Sequence, residues 1–142
     1  MNRDINRFIE AQERDFDLAL SEIRKGRKYS HWMWYIFPQR AGYGYSEMSV
    51  KYAINDINEA REYIANEYLR NNLVTITKAL LELDNGNIDD ILGFPDNMKL
   101  RSCMTLFEYV APEIKEFGMV LDKYFDGGRD KGTIEFLEDM VD

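Results

Sequence analysis

Leu69, Leu73, Ile76, Leu80 and Leu83 are spaced four, three, four and three residues apart. That rhythm puts all five on one stripe of an α-helix and on no single face of a strand. The stripe predicts a long amphipathic helix that stops near Asn85-Gly86. The same spacing recurs along the chain. Phe16, Ala19, Leu20 and Ile23 follow it, with Asp15 expected as N-cap and Gly26 as C-terminal stop. Asp56-Ile57-Asn58-Glu59 reads as a capping box opening a helix with Ile57, Ala60 and Ile64 inside. Leu100, Cys103, Phe107 and Val110 mark another, ending at Ala111 before Pro112. Ile114, Phe117, Leu121 and Tyr124 mark the next, and Ile134, Leu137 and Val141 the last. Only Met48, Val50, Tyr52 and Ile54 alternate with period two. A lone strand has no partner for its backbone, so this stretch too is read as helix. The expected architecture is all-α: about seven or eight packed helices, no substantial sheet, and residues 1–142 as one domain.

A chain of 142 residues and 16.8 kDa should expose about 24,000 Å² unfolded and about 7,700 Å² folded, enough burial for a core without cross-links. The net charge of −8 argues against general nucleic-acid binding, which needs a broad surplus of Lys and Arg. One cysteine rules out a disulfide framework and any multi-cysteine metal site. No apolar run is long enough for a membrane span. No signal peptide opens the chain, so the expected compartment is cytoplasmic. Charge is uneven: residues 1–51 sum to +2, and residues 52–111 and 112–142 to −5 each. Only the amino-terminal third would welcome a negative partner.

That third also holds the least ordinary composition. Seven of the 17 residues from Tyr29 to Tyr45 are aromatic, and both tryptophans and the sole histidine fall within positions 31–34. The run from Trp32 to Phe37 is apolar on all sides, which predicts a short buried helix or a plug between helices. Pro38 through Gly44 cannot continue it, and the glycines there let backbone approach a ligand. Such rings are ordinarily core, since each buries 150–250 Å². The functional alternative is that Trp32, Trp34 and Phe37 wall a pocket with His31 and Gln39 as its polar tip. Lys28 lies just before this segment and Arg40 just inside it. A second string, Asp96 to Thr105, opens a helix with Lys99 and Arg101 in its first turns, where cations oppose the helix dipole. Either a carboxylate of the protein or an external anion must compensate them. Cys103 lies on the apolar face and reads as a small core residue.

Gly26-Arg27-Lys28, Ser30 through Gln39, and Lys99 through Phe107 together resemble the bacterial domain-of-unknown-function family 1810. Some of its members carry a calpastatin-like label, and no calpain-inhibitor motif is visible here. The resemblance runs from Phe8 to about Leu137. It implies a mostly helical single domain and no assigned activity.

Known chemistry finds no foothold. No Walker loop is present, and Gly42-x-Gly44 lacks the third glycine and the preceding strand of a dinucleotide fingerprint. No nucleophile elbow exists, and adjacent Ser30 and His31 cannot form a triad. Asp84 to Asp90 lacks the length, ligand order and closing Glu of a calcium loop, and Asp89 and Asp90 are expected to cap a short turn. No cofactor and no metal are expected. The leading expectation is a small anionic ligand, phosphorylated or carboxylated, in an aromatic pocket clamped by Lys28, Lys99 and Arg101, with His31 as acid or base in case of catalysis. The alternative is a non-catalytic protein-protein interaction module using an aromatic and methionine face.

Overall fold

The computed structural model describes residues 4–140. Among these the chain forms nine helices: α1 (Asn6–Arg24), α2 (Met33–Ile36), α3 (Glu47–Lys51), α4 (Ile57–Ala65), α5 (Glu67–Glu82), α6 (Ile88–Leu92), α7 (Asp96–Val110), α8 (Glu116–Phe125) and α9 (Lys131–Met140). The accessible surface is 7316 Å², close to the value expected for a folded chain of this mass.

The amphipathic stripes become the contact faces. Phe8, Ala11, Phe16, Ala19 and Ile23 form the buried face of α1, which packs on α5 through Leu69, Leu73, Ile76 and Leu80. Helix α7 packs against α4, α6, α8 and α9. It is buried on nearly every side from Ser102 to Phe107, which suits a helix passing through the middle of a core. Phe107 bridges two of these neighbours, 5.1 Å from the Tyr63 ring of α4 and 6.2 Å from the Phe117 ring of α8.

Three local expectations are corrected. Asp15 is no cap, because α1 starts nine residues earlier, where the Asp4 side chain accepts the Asn6 amide at 2.9 Å. Asp15 instead sits mid-helix and accepts a hydrogen bond from the Tyr35 hydroxyl. The turn ascribed to Asp89 and Asp90 is helix α6, capped by Asn87, whose side chain accepts the Asp89 amide at 2.9 Å. The stretch from Met48 to Ile54 is helical only as far as Lys51. Beyond it Ile54 pairs with Arg40 in a single parallel bridge, with Ala41 N–H to Ile54 O at 2.8 Å and Ile54 N–H to Gln39 O at 2.9 Å. Gly26 does end α1. At φ +89° it occupies the left-handed region, and Arg27 N–H reaches back to Glu22 O at 3.1 Å while Gly26 N–H bonds Ile23 O at 2.8 Å.

Candidate functional site

The aromatic segment is hung on one carboxylate. Glu22, on the inner side of α1, accepts hydrogen bonds from Tyr29 N–H at 2.7 Å, Ser30 N–H at 2.9 Å, the Ser30 hydroxyl at 2.6 Å and the Trp32 indole at 3.0 Å. Burial by itself would raise its pKa, but these donors outweigh that effect and hold it at about 2. The loop is also fastened to α6, since Lys28 N–H bonds Ile91 O at 2.8 Å.

This fastening decides which aromatic residues can meet a ligand. Trp32 is 1% and Phe37 0% exposed, and their rings pack 6.3 Å apart inside the core. Gln39 is buried as well, with its side-chain amide donating to the carbonyls of Met33 and Phe37. Trp34 alone of the expected wall residues is partly exposed, and His31 is exposed at the start of the segment.

The expected cation clamp is divided. Lys28 Nζ lies 2.8 Å from Asp96 Oδ2, and Lys99 Nζ lies 3.7 Å from the other oxygen of the same carboxylate. Lys99 also sits 5.3 Å from the centre of the Trp34 ring, and Lys28 5.1 Å from that of Trp32. The two strings therefore meet in space, through Asp96 and Trp34. Arg101 takes a different partner, Asp130, with its Nη2 3.8 Å from Oδ1. Both opposed cations at the start of α7 are thus offset by carboxylates of the protein, which satisfies the dipole argument locally.

Beside Lys28 the surface opens into a groove of about 400 Å³, lined by Arg27, Lys28 and the stretch from Asp89 to Gly93. Gly93, at φ +76°, turns the chain from α6 into the approach to α7. Among the described residues no group of three or more His, Cys, Asp or Glu is arranged to hold a metal ion. Cys103 is fully buried and its thiol is pushed well above its ordinary pKa by burial, so it is held as a thiol in the core.

Sequence reasoning missed two residues that build this corner. Glu22 follows Ala19 by three positions, so its place on the inner face of α1 was readable. Its role was not, because nothing local says which donors it meets. Asp96 stands in the string that carries Lys99, but its pairing with Lys28 spans 68 positions of chain.

Among the described residues the fold and this corner define an all-α protein without a sheet, in which a partly exposed tryptophan and two lysines paired to one aspartate meet at the start of a central helix. The chain belongs to the DUF1810 family, proteins of unknown function, whose model matches residues 2–137. It is similar to the conserved hypothetical protein Rv1873 from Mycobacterium tuberculosis, known from a crystal structure at 1.38 Å, with 37% identity and a TM-score of 0.93 over 95% of this chain and 96% of that one. No curated protein matches it. No helix among the described residues is long and apolar enough to cross a membrane.

Proposed function

We propose that the protein binds a small phosphorylated or carboxylated ligand at the corner formed by Lys28, Lys99 and Trp34. One observation carries this reading: two ammonium groups share the single carboxylate of Asp96 beside a partly exposed indole. The pair retains a net positive charge and free N–H donors, inside a chain whose overall charge is −8. One excess positive charge at the two lysines, clear of Asp89 and Asp90 on the groove wall, suits a small anion and not nucleic acid, which needs many phosphate contacts. Trp34 supplies a flat apolar face for the body of the ligand, and the groove next to Lys28 has room for a molecule of metabolite size. His31, exposed three positions after Lys28, is the residue that would exchange a proton with a bound substrate. A single buried thiol suits the reducing cytoplasm.

The test is a thermal-shift series with sugar phosphates, nucleotides and small carboxylic acids on the wild type, Lys99→Ala and Trp34→Ala. A ligand at 100 times its Kd stabilises by about 2.7 kcal/mol, a rise of roughly 9 °C at this size. A shift that disappears in both variants supports the site. No shift with any anion, or one that both variants retain, rejects it.

Two exposed rings favour a second reading. Tyr29 and Phe94, chain neighbours of the groove residues Lys28 and Gly93, are 70% and 82% exposed. A protein partner that covers them would make the groove a docking surface. Of the methionines, Met98, partly exposed and four positions after Phe94, adjoins such a face, whereas Met33 and Met104 lie in the core and Met119 is on α8. Tyr29→Ala with Phe94→Ala would abolish partner capture but leave an anion-induced shift intact.

A further inference from the structure

Arg40 and Arg101 converge on the start of α9 from two different parts of the chain. Arg40 is held there by its backbone bridge to buried Ile54. Its guanidinium lies against Gly132, where a Cβ would stand 2.5 Å from Nη2, and a Cβ at Gly42 would stand 3.3 Å from Nη1. Arg101 reaches the same region from α7, with Nη1 4.0 Å from where a Gly128 Cβ would be. Tyr43 lies over Arg40 at 5.7 Å and also feels the charges of Arg101 and Asp130.

The charges in this cluster do not balance. Arg40 has no carboxylate within ion-pairing distance among the described residues, and its Nη1 bonds only the neighbouring Ala41 carbonyl at 3.1 Å. Among the described residues Asp130 is the acid that pairs with Arg101, and it is half used. Its Oδ2 accepts the amide and the hydroxyl of Thr133 at 3.0 and 2.6 Å, leaving Oδ1 for a 3.8 Å contact with Arg101. Most telling, Nε of Arg40 and Nε of Arg101 are both buried without an acceptor. Buried donors are ordinarily paired, and the Nε edge is the side on which a guanidinium grips an oxyanion bidentately. Gly132 costs helix propensity inside α9, yet any side chain there would strike Arg40.

We propose that Arg40 and Arg101, grouped around Tyr43 with glycines 42 and 132 making room for Arg40, form a second anion site that takes the phosphoryl or carboxyl group of a small molecule. This site is independent of the Lys28–Lys99 corner, because the two share no residue and no carboxylate. The oxyanion enters between the guanidiniums, accepts from both, and offsets the charge that Asp130 leaves uncovered.

Arginine Nε–H signals in ¹⁵N–¹H spectra read this directly. The probes are inorganic phosphate and acetate, against sodium chloride at matched ionic strength, with the two signals assigned from Arg40→Lys and Arg101→Lys. Phosphate or acetate should shift both signals saturably, and the one that saturates at lower concentration identifies the group. Lys99→Ala should leave the shifts unchanged. Gly132→Ala, checked for wild-type circular dichroism, should weaken binding at least tenfold by displacing Arg40. Shifts no larger than with chloride, a response of one arginine alone, loss in Lys99→Ala, or wild-type affinity in Gly132→Ala would each overturn the site.

Discussion

The indole N–H of Trp32 donates to the carboxylate of Glu22 at 3.0 Å, joining a residue beyond the end of α1 to one inside its last turn. Hydrogen-bond donors from Tyr29, Ser30 and Trp32 hold this buried carboxylate. The arrangement turns the loop around so that Trp32 enters the core while Lys28 is delivered to Asp96. A structural hydrogen-bond network thus sets the position of a candidate binding residue.

Acid should weaken the fold through Glu22. Its pKa in the folded protein is about 2, against an ordinary value of 4.5. A depressed carboxylate adds stability that is complete above pH 4.5 and is lost as pH falls towards 2. Urea midpoints measured between pH 6 and pH 3 should fall in the wild type and fall less in Glu22→Gln. At pH 7 that substitution should cost about 2 kcal/mol, through weakened bonds to buried donors.

The two tryptophans should separate cleanly. Trp32→Phe removes a buried indole and one of the donors to Glu22, and should cost about 2–3 kcal/mol in urea unfolding. Trp34→Phe, at a partly exposed position, should cost under about 1 kcal/mol. The opposite order would mean that Trp34 holds the fold.

Arg7 and Glu59 form a buried bidentate pair at 2.8 and 3.2 Å, and Arg7 also donates to the carbonyls of Lys51 and Ala53 at 2.7 Å each. Arg7→Met strands a buried carboxylate, and about 3–5 kcal/mol should be lost. Adding Glu59→Leu should recover part of that in denaturant titrations, because the unpaired charge goes with it.

Asp15 and Asp56 should behave differently although both looked like caps. Asp56 accepts the Glu59 amide at 2.8 Å, and Asp56→Ala should cost about 1 kcal/mol. Asp15 acts on Tyr35 instead. Burial raises the Tyr35 hydroxyl first and the bond to Asp15 raises it further, to about 12. In Asp15→Asn the phenolate absorbance of Tyr35 should titrate below 12 yet stay above the ordinary 10, because burial persists.

Much of the fold was written in local spacing. The stripe from Leu69 to Leu80 became the inner face of α5, the Asp56 cap opened α4, and Gly26 closed α1 because its φ of +89° suits a residue without a side chain. Those features are properties of a few neighbouring residues, so sequence alone determines them. The candidate site was legible only in its parts list. The sequence flagged Trp34, Lys28, Lys99 and Arg101 as unusual, but it could not say that Trp34 alone parts from the buried Trp32 and Phe37, or that Asp96 collects two lysines while Asp130 takes Arg101. Those outcomes depend on pairings across 68 and 29 positions, from Lys28 to Asp96 and from Arg101 to Asp130. A charge chooses its partner by distance in space, and distance in space is set by how α1, α7 and α9 pack.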